Sequence, residues 1–204
     1  MVFAYAAIVF AVIFLALLFL LHFLKPELDP AWRMISEYEI GRFGWMMRLA
    51  FFSWGASVLA ILITTWSFLG PISRGWFVLI VIALFGAGLF KTNLITDNTP
   101  DLVNTIHALC GAVVILTFPV AATLAVSDLL QDQVWSAGQS LLISGTVLAW
   151  IGMLAFFASI IISRIIDPSA GRVGPHVYLG WPNRFMVVTY IVWIIIVAVT
   201  ALQP

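Results

Sequence analysis

The chain is 204 residues long, 63% hydrophobic and only 9% charged, where an ordinary soluble domain is about 45–50% apolar and about 25% charged. A chain of this size has no interior large enough to hide so much apolar surface from water, so a soluble globular fold is excluded and a bilayer must take up the surplus. Nine basic residues balance nine acidic ones without any run of like charge, which argues against nucleic acid as a partner, because phosphate binding needs a basic surface.

Six apolar runs follow in chain order, at Val2–Leu24, Met46–Leu69, Gly75–Phe90, Thr105–Val126, Gly138–Ile162 and Phe185–Leu202. They predict spans near 2–24, 46–69, 75–92, 104–126, 138–163 and 184–202, and so an all-α fold: one polytopic transmembrane helix bundle over residues 1–204. A span needs about 17–25 residues, which the third run reaches only if Lys91 snorkels. The first run has no positive n-region and no small-residue cleavage site, and it exceeds the roughly 7–15 residues of a signal h-region, so it reads as a retained helix. Gly70-Pro71, Pro100, Asp167-Pro168 and Pro182 punctuate the runs, and no repeat at a period of about 20–50 residues suggests a solenoid.

A short interfacial helix is expected after the first span. Asp29 suits its N-cap and Pro30 its first position, where the missing N–H would be unpaired anyway. Ala31, Trp32, Ile35 and Tyr38 would share its apolar side along the headgroups, and Gly41 would end it in the left-handed conformation.

Six spans put both termini on one side of the membrane. The loops opposite them, 25–45, 91–104 and 163–184, are long, and those on the terminal side, 70–74 and 127–137, are short. Lys25, Arg33, Arg42, Arg48, Lys91, Arg164, Arg172 and Arg184 lie on or beside the long-loop face, against Arg74 alone on the other. Such an excess marks the cytoplasmic side of a bacterial inner membrane. Glu27, Asp29, Glu37, Glu39, Asp97, Asp101 and Asp167 share that face, so chemistry or recognition is expected there.

The fourth span carries the most informative pattern. Thr99 can cap it and Pro100 can open it; Asp101, Asn104, His107 and Gly111 then recur at helical spacing on one stripe. His107 would lie about 10 Å inside the helix at 1.5 Å per residue, a depth at which a polar group needs the bundle interior or a wet cavity. The stripe is either the wall of a pocket open to the cytoplasmic side or a hydrogen-bonded seam that fixes helix packing.

Ser36-Glu37-Tyr38 with Gly41, Arg42 and Gly44 offers a carboxylate, a phenol and a guanidinium just before the second span. It could fold over a cavity mouth, or simply anchor the chain at the headgroups. His22 falls on the same face as His107, so the pair could hold a b-type haem or, with Asp97 or Glu37, a metal ion; alternatively His22 is interfacial. Arg184 would snorkel, Gly86 and Gly88 would permit close helix contact, and the single cysteine, Cys110, would pack between helices. The binding candidates are therefore Glu37, Tyr38, Arg42, Arg48, Asp97, Asp101, Asn104, His107 and Arg184. No Gly-rich phosphate cradle, paired-cysteine motif, H-E-x-x-H or G-x-S-x-G occurs. Intramembrane charge is too sparse for a typical ion pump, and no inverted repeat points to a transporter.

The stretch His22-Phe23-Leu24-Lys25-Pro26-Glu27-Leu28-Asp29-Pro30, then Ile35-Ser36-Glu37-Tyr38 and Gly41-Arg42-Phe43-Gly44-Trp45-Met46, resembles a prokaryotic family of integral membrane proteins catalogued as domain of unknown function 998. The likeness extends through Asp97 and His107 to Trp181-Pro182-Asn183-Arg184. It implies a multi-spanning membrane protein and brings no reaction with it. A looser similarity is to the seven-helix membrane hydrolases related to alkaline ceramidases, which hold zinc with Ser, Asp and three His. Ser36, Asp97 and His107 match in type, but an H-x-x-x-H pair and a seventh span are missing, which argues against a zinc amidase.

These readings lead to a small-molecule or lipid-binding bundle, or an accessory subunit of a larger membrane complex, with membrane lipids and other membrane subunits as partners. The alternative is a membrane enzyme acting on a lipid or isoprenoid through Glu37, Asp97 and His107, with Arg42, Arg48 and Arg184 holding an anionic headgroup. Cofactor identity stays open.

Overall fold

A backbone in lipid must satisfy its N–H and C=O groups within itself, so long apolar runs close into helices. The computed structural model describes residues 1–97, 99–166 and 174–203, and these contain α1 Val2–Leu24, α2 Gly44–Thr65, α3 Pro71–Leu89, α4 Leu102–Leu129, α5 Gln139–Ile166 and α6 Gly180–Ala201. Each is long and apolar enough to cross a membrane, and no strand occurs among the described residues. The chain is an all-helical, multi-pass membrane protein.

Consecutive helices are neighbours and α6 returns to α1, so the bundle is a ring in chain order. The helices most enclosed are α2 and α6, which also touch each other. On α1, Ala4, Ala7, Ala11, Phe14, Leu18 and Leu21 are buried at spacings of three and four. The small side chains let α2 approach closely, and the Ser57 hydroxyl donates to the Ala7 carbonyl at 3.0 Å. Gly86 and Gly88 work as the sequence suggests. A Cβ on Gly86 would come within 2.6 Å of the Cys110 sulfur, and one on Gly88 within 2.9 Å of the Phe52 ring.

One end of the ring gathers the short loops. Asp128 accepts the Gly70 N–H at 2.8 Å and the Ser73 hydroxyl at 2.5 Å, and Pro71 occupies the first position of α3. The helix therefore starts four residues before Gly75 and reaches 19 residues without Lys91, which lies exposed beyond its end. Trp135 packs on Phe68 at 5.6 Å, and Gly138 lies against Thr200, bringing the C-terminal end of α6 to the same face.

The opposite end holds the long loops. A short helix does follow the first span, but it is a 3-10 helix, Ile35–Glu39, with Ile35, Glu37, Tyr38 and Glu39 buried. It lies inside protein rather than along headgroups. Asp29 accepts the Ala31 N–H at 2.9 Å, yet only a turn follows, because distant side chains take the backbone groups an α-helix would have used. Asn183 accepts the Ile35 N–H at 3.1 Å, and the Lys25 ammonium donates to the carbonyls of Tyr38, at 3.0 Å, and Ile40. Gly41 does adopt the left-handed conformation, at φ +73°.

The start of α4 also differs from expectation. Asp101 is its N-cap, accepting the Val103 N–H at 2.9 Å, and Thr99 and Pro100 precede the helix. The Asp97 carboxylate binds the Thr99 N–H at 2.9 Å and its hydroxyl at 2.7 Å, so Thr99 is already engaged. Asp167 and Arg172 lie outside the described residues.

Candidate functional site: an interior cavity and its polar cap

Within the ring, at the long-loop end, lies a cavity of about 510 Å³ walled by α2 to α6 and covered by residues 34–37 and 92–97. Its polar lining is confined to the covered end, where Ser36, Glu37, Asp97, Asn104, His107 and Asn183 meet. Deeper in, the walls are Val114, Ile115, Phe156, Met186 and Val187. Proline chemistry shapes the floor. Pro119 has no N–H to give the carbonyl four residues back, and the hydroxyl of Tyr190 takes that Ile115 carbonyl at 2.8 Å. Phe118 stacks on Tyr190 at 4.4 Å, closing the bundle beneath.

The α4 wall is thin. Ala108, Ala112 and Leu116 line the cavity and are also exposed on the outside of the bundle, at the i, i+4, i+8 spacing of one helical face. These residues stand where the edge of the cavity meets the exposed face of α4, away from its polar end.

Three buried side chains bolt the cap in place. Glu37, at 1% exposure, accepts from the Arg33 guanidinium at 2.7 Å, the Met34 N–H at 2.9 Å and the Ile95 N–H at 3.0 Å. Glu39 accepts from Arg48 Nε at 2.8 Å and from the Thr92 N–H at 3.2 Å. Arg184, at 4% exposure, does not snorkel. Its Nε donates to His22 Nε2 at 2.8 Å, its Nη2 to the Tyr38 hydroxyl at 2.9 Å, and its Nη1 to the carbonyls of Arg33 at 2.6 Å and Gly180 at 3.0 Å. Beside them, burial pushes the Lys25 ammonium below its ordinary pKa, with Glu27 opposing.

His107 sits five residues inside α4, about 7.5 Å along the helix. Its Nδ1 lies 2.8 Å from the Phe90 carbonyl. A carbonyl can only accept, so Nδ1 carries a proton, and in the neutral ring Nε2 is the acceptor. Glu39 Oε2 is 3.9 Å from Nδ1, beyond hydrogen-bond reach.

The sequence candidates thus divide. Glu37, Asp97, Asn104 and His107 line the cavity, whereas Tyr38 and Arg184 form a neighbouring buried pair. Arg48 and Asp101 line a separate surface depression with Lys91, and Arg42 is exposed against the Phe43 ring at 4.6 Å. Asp101, as the cap, drops out of the Asn104–His107–Gly111 stripe. His22 cannot join His107 on a haem or metal, since Leu18 O at 2.7 Å and Arg184 occupy both its nitrogens. No cluster of three or more His, Cys, Asp or Glu arises among the described residues. Sequence reasoning missed Arg33, Glu39, Asn183 and Trp54. Arg33 carried a signal in lying four residues from Glu37 with opposite charge, Glu39 in sharing the charged long-loop face, and Asn183 in the stretch that carries the family resemblance.

The family comparison settles the kinship. The family model described as protein of unknown function (DUF998) matches residues 8–200. The chain belongs to this family. No curated protein and no solved structure matches it. In this DUF998 chain the segments that carry the resemblance are those that build the cap: His22, Lys25, Glu37-Tyr38, Gly41 and Asn183-Arg184. Gly44 belongs with them, since a Cβ there would run into the Glu39 carbonyl.

Proposed function

We propose that the protein binds a membrane lipid, taking its chain sideways past Ala108, Ala112 and Leu116 and holding its head under the 34–37 and 92–97 cover. The observation that carries this reading is the cavity's division into a polar end and an apolar depth, with exposed α4 residues at its edge. Its size falls within the roughly 300–1,000 Å³ of ligand pockets. The eight-to-one division of basic residues favours the polar end lying in the cytoplasmic leaflet of a bacterial inner membrane.

The enzyme reading draws on the same cavity, and its weak point is Glu37. That carboxylate already accepts three hydrogen bonds, one from a guanidinium, so its oxygens are committed to holding the cover together and not to a substrate. Binding is the better-supported use of the site.

Gly111 provides the test, because a Cβ there meets nothing within 4 Å and a larger side chain would fill the cavity. Native mass spectrometry of protein extracted in mild detergent should show a lipid-mass adduct that Gly111→Phe removes. An adduct indifferent to Gly111→Phe would refute the reading. A large stable assembly carrying no adduct would transfer support to the accessory-subunit role.

A further inference from the structure

Lipid tails gain little by moving from bilayer into an apolar cavity, since both surroundings are equally oily. Selection among lipids therefore falls to the polar end. The groups there are uncharged donors and acceptors, together with two carboxylates.

No lysine or arginine lines the cavity among the described residues. Arg33 is paired with Glu37 and Arg48 with Glu39, Arg184 is spent on His22, Tyr38 and carbonyls, and Arg42 lies on the exterior. Asp97 at the mouth, without an ion-pair partner among the described residues, would repel a phosphate. What remains is neutral. His107 Nε2 is an acceptor without a donor among the described residues. Asn104 and Asn183 have their carbonyl oxygens engaged by backbone N–H groups, leaving their amide N–H groups to donate. These amide groups, on side chains that line the cavity, are the donors a bound carbonyl would meet.

Resting on the lipid-binding reading above, we infer that the cavity selects an uncharged lipid whose head carries a hydroxyl and a carbonyl, diacylglycerol being the simplest member, over anionic phospholipids. The hydroxyl donates to His107 Nε2, and the carbonyl accepts from the amide N–H groups of Asn104 and Asn183.

The test titrates delipidated full chain in detergent with dioleoylglycerol or with phosphatidylglycerol carrying the same chains, reading bound fractions by native mass spectrometry. Dioleoylglycerol should bind at least ten times more tightly. Gly111→Phe should abolish that binding, with Ala108→Phe at the α4 edge of the cavity as a second block if the first variant misfolds. His107→Asn keeps a donor for the Phe90 carbonyl and withdraws the acceptor from the position of Nε2; it should weaken dioleoylglycerol about tenfold, the size of one lost hydrogen bond, and leave phosphatidylglycerol unchanged. Phosphatidylglycerol binding as tightly, and sensitive to Gly111→Phe, would overturn the neutral-head inference while leaving lipid binding intact. If neither lipid responds to the blocking variants, lipid binding itself falls, and the inference with it.

Discussion

Arg184 at the start of α6 donates to Nε2 of His22 at the end of α1, at 2.8 Å and across 162 residues of sequence. The same guanidinium reaches the Tyr38 hydroxyl and two carbonyls of the cap, so one buried cation joins the first helix, the last helix and the loop between α1 and α2. Its charge is met by dipoles and rings, with its centre 5.3 Å from the Tyr38 ring and 5.8 Å from that of Trp181. Arg184→Met leaves the Arg33 and Gly180 carbonyls and the phenol without this donor. At about 1–3 kcal/mol for each buried polar group left unmatched, stability should fall by about 3 kcal/mol or more. Arg184→Lys should recover only part of that, because an ammonium cannot span the fork. Thermal unfolding in detergent, followed by tryptophan fluorescence, measures both, and a loss below about 1 kcal/mol for Arg184→Met would show the cap to be held elsewhere.

Glu37 joins the two loops that cover the cavity, since it bonds Arg33 and Met34 on one side and Ile95 on the other. Glu37→Gln keeps one acceptor oxygen and turns the other into a donor facing donors. It also leaves the Arg33 charge, 14% exposed at its side chain, without its counter-ion. The expected cost is about 2–4 kcal/mol. Hydrogen exchange should locate it, with the Ile95 amide exchanging faster and the α1–α2 contact near Ser57 unaffected. Equal acceleration throughout would mean a global loss rather than an opened cover.

The bundle was legible because a bilayer imposes simple rules. Apolar length predicted all six helices, and Gly70-Pro71 and Pro182 fall at helix starts for the reason sequence gives, namely that a missing N–H costs nothing there. The cap was less legible. Asp29-Pro30 carries a good local start signal, but the backbone of residues 31–40 is satisfied by Lys25, Asn183 and Arg184, two of them about 150 residues away, and no local pattern encodes that. The placement of His107 inside α4 was readable from spacing, as was the stripe it shares with Asn104 and Gly111, but the helix starts at Leu102 and not at Pro100, so the depth is about 7.5 Å where about 10 Å was expected. Which arginines face the cavity was not, because ion pairing with Glu37 and Glu39 removes Arg33 and Arg48 from ligand contact, and only folding decides those pairs.

Asp97 gives a pH signature at the cover. The Thr99 N–H, and after it the Thr99 hydroxyl, hold its carboxyl below the ordinary value of 3.8. A carboxylate whose folded pKa is depressed contributes stability above its unfolded pKa and loses it as pH falls through the folded one. The Asp97–Thr99 contact should therefore be intact at neutral pH and give way only below the ordinary carboxyl value of 3.8, as pH falls through the lowered one. Thr99→Val removes the hydroxyl bond and keeps the N–H bond, so it should move the opening toward higher pH. Hydrogen exchange at the Thr99 amide, followed from pH 6 downward, reports it; an opening at the same pH in both proteins would contradict the assignment.

Glycine-to-alanine changes at two positions should have opposite signs. Gly180 begins α6 with the cap backbone against it, and a Cβ there would collide with the carbonyls of Pro30 and Arg33. The Arg33 carbonyl is the one Arg184 holds at 2.6 Å, so it cannot retreat without giving up that bond. Gly180→Ala should therefore cost stability by about 1–3 kcal/mol, as other overpacking does, and loosen the cap. Gly111 lies within α4, where a Cβ meets nothing within 4 Å. Gly111→Ala removes the backbone freedom that makes glycine a poor helix residue and should stabilise α4 by about 0.5–1 kcal/mol. Its single methyl enters the cavity without filling it, so bound lipid should be retained where Gly111→Phe expels it. Melting temperatures of the two alanine variants, compared with the parent chain in the same detergent, decide the matter: a fall at 111 would mean that this wall of the cavity is packed, and no change at 180 would mean that the cap does not bear on α6.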